Sequence, residues 1–441
     1  MIKAFLKKVG LLPKESAQVR IIPRSEHGVS RKNISENAIK VLYRLRKSGF
    51  QAFLVGGGVR DLLLDLHPKD FDIVTDAKPE EVRHVFRNCR LIGRRFRLAH
   101  VFFGHDIVEV ATFRGMATTA SEHLSHSEHG MILRDNVYGT IAEDVWRRDF
   151  TINGLYYNIA DFSIVDYVGG FADLKAKRLR MIGDVEKRYR EDPVRMLRAV
   201  RFACKINFEL SSELTKPMAE LKGLISHVSS ARLFEEMMKM FHSGAAFSVF
   251  EHLLKLGLFE ELFPLTYACL QDKSYPTHAL LTQVFQNTDN RIKQDKSVTP
   301  SFIIAALLWH PICREAQIYM SEGMPFFPAR LRAIETVLHQ QLKKLSIPKR
   351  ITQGARDIWL LQMRLKKRGG KRADQLMTEP RFRAAFDFLE IRAKANEPVK
   401  ELAKWWQEYI EGDPTKRRQL IKSLPARKKK KIKPKTNNND K

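Results

Sequence analysis

The chain has 441 residues, 44% of them hydrophobic, a size and composition that support more than one domain with its own core. No apolar run approaches the roughly 20 residues needed to span a bilayer, and Lys7 and Lys8 interrupt the one apolar stretch near the start, which excludes a signal-peptide core. The net charge of +27 points to a polyanionic partner, and removing the basic stretch Ala426 to Lys441 still leaves about +20.

Residues 1–33, with the turn-prone Pro23-Arg-Ser-Glu-His-Gly-Val-Ser30, read as a flexible lead. A helix then starts at Ser35, and its apolar positions Ile39, Val41, Leu42 and Leu45 keep helical spacing, ended by Lys47-Ser-Gly49. Gln51–Val55 reads as a strand, Gly56-Gly-Gly58 as a tight turn, Val59–Leu64 as a helical turn and Phe71–Thr75 as a second strand. Pro79 opens another helix, and Ala99–Phe103 and Ile107–Phe113 read as a strand pair turning at Gly104-His-Asp106. Residues 115–135 lack periodicity and read as a mobile loop. It contains His123, His126 and His129, better explained by polarity than by metal binding.

From about residue 185 the pattern is helical. The expected division is a lead (1–33), a mixed α/β head (34–170), a helical neck (171–265), a helical body (266–424) and a disordered basic tail (425–441). Trp359, Trp405 and Trp406 fall at helical spacing and suit a core better than base stacking. Cys89, Cys204, Cys269 and Cys313 lie too far apart for a zinc site or a disulfide framework and read as buried thiols.

The segment that carries chemistry is Leu54-Val-Gly-Gly-Gly-Val-Arg-Asp61 followed by Lys69-Asp-Phe-Asp-Ile-Val74. Strand periodicity puts Asp70 and Asp72 on one face, where two carboxylates repel unless a cation sits between them. Such oxygen ligands suit Mg²⁺, and two ions about 4 Å apart would activate a hydroxyl and stabilise a leaving pyrophosphate. A bare Asp-x-Asp is more often just solvated. The turn at Gly56, Gly57 and Gly58, which frees backbone N–H groups for phosphate oxygens, and Arg60 after it shift the balance.

Two more motifs follow in order, Arg147-Arg-Asp-Phe-Thr-Ile-Asn153 and Glu191-Asp-Pro-Val-Arg-Met-Leu-Arg-Ala-Val-Arg-Phe202. With the first, they resemble the signature of the class II tRNA nucleotidyltransferase/poly(A) polymerase family, from about Ser30 to about residue 410. The resemblance is closer to the bacterial polyadenylating members and includes Asn88-Cys-Arg-Leu-Ile-Gly-Arg-Arg-Phe-Arg-Leu-Ala-His100 and Tyr189-Arg-Glu-Asp-Pro-Val-Arg195.

The resemblance implies a polymerase-β-like head on an all-α body. It implies addition of AMP from ATP to RNA 3′ ends without a template, releasing pyrophosphate, in a bacterial cytoplasm, with tails that promote RNA decay. Its catalytic acids would be Asp70, Asp72 and Asp149. Two Mg²⁺ would sit on Asp70 and Asp72, with Glu109 a third carboxylate or else a partner of Arg97 or Arg114. Gly56, Gly57, Arg60, Arg147, Arg148 and Asn153 would hold ribose and phosphates, unless Asp149 is engaged in a salt bridge to Arg148.

Asp192, Arg195 and Arg198 would read the base. An acid accepting from adenine N6 and an arginine donating to N1 reject guanine and uracil, but separate adenine from cytosine only by pocket size. Asp192 also suits a helix cap before Pro193, and Arg201 suits a local acid. The implied partners are RNA and ATP, with RNA-decay proteins, but no DNA and no membrane, for a monomer. A CCA-adding enzyme or an inactive RNA-binding protein of the same fold are the rival accounts.

Overall fold

A computed structural model describes residues 19–93, 97–115, 124–126, 132–135 and 137–425. The chain divides into two compact units, one up to Leu262 and one from Phe263.

The first unit is built on an eight-stranded sheet. In chain order its strands are β1 (Arg20–Ile22), β2 (Ala52–Val55), β3 (Asp72–Thr75), β4 (Cys89–Ile92), β5 (Leu98–Phe103), β6 (Asp106–Thr112), β9 (Leu155–Asn158) and β10 (Ile164–Asp166). The spatial order is β1-β10-β9-β2-β3-β6-β5-β4, antiparallel except for the parallel pair β3–β6. The lead is therefore not wholly flexible: Arg20–Ile22 pairs with β10 as an edge strand, and Ile22 is fully buried. Three residues of edge pairing leave no hydrophobic periodicity for a sequence reading to find.

Helix α1 (Glu36–Lys47) begins where Ser35 Oγ accepts from Ala38 N, and it buries Ala38, Val41, Leu42 and Leu45 against β2, β3 and β6. Each of the larger side chains contributes roughly 2 kcal/mol of burial. Ile73, Val74 and Thr75 are buried on both faces of the central strand β3, whose first residue, Asp72, emerges into solvent. Helix α2 (Gly57–Leu63) follows β2 at once.

The expected loop at 115–135 contains an antiparallel ribbon, β7 (Leu124–His126) with β8 (Ile132–Asp135). Residues 116–123, 127–131 and 136 lie outside the described residues, as does the tail after residue 425. Helices α6 (Val185–Glu191) and α7 (Val194–Ile206) complete the part of this unit that carries the third motif.

The second unit is helical throughout its described length. Trp359, Trp405 and Trp406 are buried, and their indole N–H groups donate to the carbonyls of Ala305, Leu420 and Leu365. They are core side chains and offer no face to a base. Among the described residues no helix is long and apolar enough to cross a membrane.

Candidate active site

The glycine turn is a local necessity. Gly56 has φ 72°, ψ −135°, a conformation closed to L side chains, and it hands β2 into α2. A Cβ on Gly58 would stand 3.3 Å from the carbonyl oxygen of Asp70, so the small residue lets the helix start lie against the acidic segment.

Asp72 pairs with Val55, the last residue of β2, so the first acid strand ends beside the turn. On the other side, Ile73 pairs with Val110 in the parallel strand β6. Asp72 and Glu109 each precede that pair by one residue and share a sheet face. Asp72 is open to solvent yet crowded by protein. Lost hydration, then the charges of Glu109 and Asp70, push its carboxyl up to about 6, with Arg148 pulling the other way. Glu109 is half-exposed, not buried, and faces His100 Nε2 at 3.5 Å; Arg97 pairs with Glu80 instead. The three acids thus form a negative cluster that Arg148 only partly offsets. Such a donor set fits a divalent cation, although among the described residues no three ligands are pre-assembled into a closed cage.

Arg148 bridges the turn and the acids. Its Nε and Nη2 donate to Asp144 Oδ2 at 3.1 and 2.8 Å, and Tyr156 Oη donates to the same oxygen at 2.7 Å. The free end, Nη1, lies over Gly56, 3.7 Å from where a Cβ would be. Asp144 and Tyr156 are positioning groups that the sequence reading missed. Their only advance signal was the i, i+4 spacing of Asp144 and Arg148. Arg147 donates to the carbonyl of Gly115 at 2.7 Å. Burial, then Arg114, Arg188 and Arg195, push it down to about 10. Arg188, also missed, donates to the carbonyls of Arg147 and Arg148 and to Glu191. Together these cations outnumber their acids, as an anion site requires.

Three expected site residues, Arg60, Asn153 and Asp149, are turned inward. Arg60 is 2% exposed, donates to Asp61 and to Asn153 Oδ1, and lies over the Phe202 ring at 5.0 Å. Its guanidinium buttresses the turn and does not face the solvent side of the acids. Asp149 is buried. Its Oδ1 accepts from Phe150 N and Asn153 Nδ2, and its Oδ2 accepts from Arg198 Nε at 2.7 Å and Nη2 at 2.5 Å. Burial alone would raise its pKa, but the Arg198 charge and these bonds hold it far below the usual carboxylate range. The expected alternative of a bridge to Arg148 is replaced by one to Arg198, because Arg148 is held by Asp144.

In the third motif, Asp192 Oδ1 accepts from Val194 N at 3.3 Å, and both its oxygens accept a fork from Arg232, at 2.8 and 2.6 Å. Arg232 was not foreseen, since it lies 40 residues away in sequence. Arg195 uses Nη1 on the carbonyl of Arg188 and on Glu191. Arg201 pairs with an acid as expected, but with Glu236, 35 residues away in sequence and not a local one. Arg198 and Arg201 flank the Phe202 ring that also carries Arg60.

A sheet with paired acids at one strand end, a glycine turn beside them and a bank of arginines across the gap defines a nucleotidyltransferase. Three family models match the chain: "Poly A polymerase head domain" over residues 52–180, "Probable RNA and SrmB- binding site of polymerase A" over 207–270, and "Polymerase A arginine-rich C-terminus" over 322–440. The chain is 50% identical to poly(A) polymerase I of Salmonella typhi across 92% of its length and 88% of that protein. It is 43% identical to that of Haemophilus influenzae, covering 92% and 93%. A CCA-adding enzyme of Lactobacillus helveticus is 38% identical over only 48% of the chain and 52% of that protein. In fold it resembles a tRNA nucleotidyltransferase solved with a primer tRNA and an incoming ATP analog, with TM-score 0.58, 24% identity and coverage of 84% and 98%. The chain belongs to the bacterial poly(A) polymerase I family, within the class II nucleotidyltransferases.

Proposed function

We propose that the chain adds AMP from ATP to RNA 3′ ends without a template. The observation that carries this reading is the near-full-length identity to polyadenylating relatives, set against half-length similarity to CCA-adding ones. In the reaction the RNA 3′ oxygen forms a bond to the α-phosphorus of ATP, the bond to the bridging oxygen breaks, and pyrophosphate leaves.

Asp70 and Asp72, with Glu109 beside them, are the groups that would hold Mg²⁺, which supplies charge neutralisation and a more acidic hydroxyl when bound. Arg148 Nη1 and the Gly56–Gly57 backbone would steady the triphosphate, with Arg147 in the cationic bank behind them. The Arg232 fork uses one lone pair on each Asp192 oxygen and Val194 N uses the other on Oδ1, which leaves a lone pair on Oδ2 to accept from adenine N6. Arg195 keeps Nη2 for adenine N1. Arg60, Asn153 and Asp149 act as positioning residues, tying the turn, the second motif and Arg198 together. The arginine-rich second unit and the matched segment 207–270 would take the RNA strand and any RNA-decay partner, and the enzyme would act as a cytoplasmic monomer.

The test is primer extension in Mg²⁺ with each nucleotide supplied separately. Long tracts from ATP alone support the reading. A single C-C-A added to truncated tRNA, with no tract on other RNA, overturns it.

A further inference from the structure

The second unit presents large apolar rings to water in a cationic setting. Phe326 and Phe327 open the helix Phe326–Lys344 and are 45% and 51% exposed. Two cations approach the Phe326 ring, Arg330 at 5.7 Å and Lys366 at 5.8 Å from its centroid. Lys366 also lines a cleft of about 540 Å³ together with Arg368, Lys400 and the single acid Glu401. Arg368 is half-buried and lies over the Trp405 ring at 4.9 Å, and it makes no hydrogen bond or ion pair among the described residues. A half-buried guanidinium without a carboxylate is costly unless an anion arrives.

We infer that this surface binds single-stranded RNA, with phosphates on Lys366, Arg368 and Lys400 and a base stacked on Phe326. The inference rests on the polyadenylation reading for its choice of RNA. Each half of the surface asks for a different part of that ligand. Exposed flat rings are sequence-tolerant stacking platforms, and neighbouring unpaired cations track a phosphate backbone. An acidic peptide would satisfy the cations and leave the rings wet. Charge supports the assignment. Burial pushes the Arg368 guanidinium down with no acid to oppose it, and partial burial together with Arg392 and Arg330 does the same to Lys366. Arg368 meets no acid among the described residues, and Glu397 and Cys313 only partly offset the cations around Lys366.

The experiment is fluorescence-anisotropy binding of the full chain to a labelled mixed-sequence RNA of about 20 nucleotides, alone and annealed to its complement. Phe326→Ala with Phe327→Ala should weaken single-strand binding about 10-fold and leave duplex binding within about twofold, because a duplex has no free base to stack. Lys366→Gln with Lys400→Gln should weaken both and lower the slope of log affinity against log salt by about 1.4 on the single strand. Melting curves matching the parent check that the folds are intact, as expected for exposed side chains. Parental RNA affinity in both double variants overturns the inference, including the case where they lose a protein partner instead. An equal loss on single strand and duplex for the phenylalanine variant overturns the stacking assignment. AMP addition by the parent chain, scored separately, tests the underlying reading without touching this one.

Discussion

Single residues at the site carry two different kinds of duty, and substitutions separate them. Asp72 sits where it is electrostatically uncomfortable, with its carboxyl raised to about 6 by lost hydration, Glu109 and Asp70. A raised carboxyl favours the protonated form in the fold. The metal-free protein therefore gains stability from this group as pH falls through about 6 towards 4, and Mg²⁺ binding weakens over the same window. Asp72→Asn should abolish that pH dependence in chelator, leave or raise the melting temperature, and lower AMP incorporation by about 1,000-fold or more. Asp149 behaves in the opposite way. Replacing it with Ala leaves the partly buried Arg198, Phe150 N and Asn153 without their acceptor and should cost about 2–3 kcal/mol in denaturant unfolding, a penalty that Asp70→Ala does not incur. Arg232→Gln frees Asp192 from its fork. The expected result is an ATP KM raised about 10-fold with kcat less affected, measured at saturating RNA. Of these residues, Asp70 and Asp72 stood out in the sequence through the glycine turn and Arg60 beside them, and the third-motif arginines through the resemblance to the family, although Arg198 proves to be held by Asp149. Arg232 was not, because a hydrogen-bonding partner 40 residues away leaves no local pattern; Asp144 and Tyr156 lie close to Arg148 in sequence, but their residue types alone do not show that they hold it.

Elements are held by how they satisfy buried polar groups. In the second unit, Glu397 follows the helix Phe382–Lys394 and gathers three partners: Trp309 Nε1 at 3.0 Å, His310 Nε2 at 3.2 Å and a fork from Arg392 at 3.0 and 2.8 Å. Burial would raise this carboxyl, but the His310 hydrogen bond and the Arg392 charge take it down to about 2. A depressed carboxyl stabilises above its ordinary pKa near 4.5, and that stability is lost as pH falls from about 5 towards 2. The shift corresponds to about 3 kcal/mol. Acid unfolding of the chain should shift to lower pH dependence in Glu397→Gln, with lower stability at neutral pH, read by denaturant melts at pH 7 and pH 4. The first helix, Glu36–Lys47, was legible in its extent and in Val41, Leu42 and Leu45, because its apolar face repeats every turn, although Ala38 and not Ile39 is the buried residue of its first turn. The edge strand Arg20–Ile22 and the ribbon of Leu124–His126 with Ile132–Asp135 were missed. Short strands gain their stability from partners and not from their own pattern.

For the whole molecule, charge is the property that acts at long range. The eight basic residues after Leu424 add to a body already near +20. Truncation after Leu424 should weaken RNA binding and flatten its salt dependence, since fewer counterions are released; unchanged affinity at low and high salt would refute a role for the tail. By itself, the sequence determined the class of chemistry, the order of an α/β head before a helical body, and the acids and arginines of three motifs. These follow from local spacing and residue type, which survive without knowledge of the fold. Only the tertiary structure decided what each charged group does with its charge. It turned Arg60 and Asp149 inward, tied Arg148 to Asp144, and left Asp72 beside Glu109 with only the charge of Arg148 to offset their repulsion. The reason is physical. Whether a carboxylate or guanidinium is spent on the fold or kept for a ligand depends on burial and on partners brought from distant segments, and neither is written in local sequence.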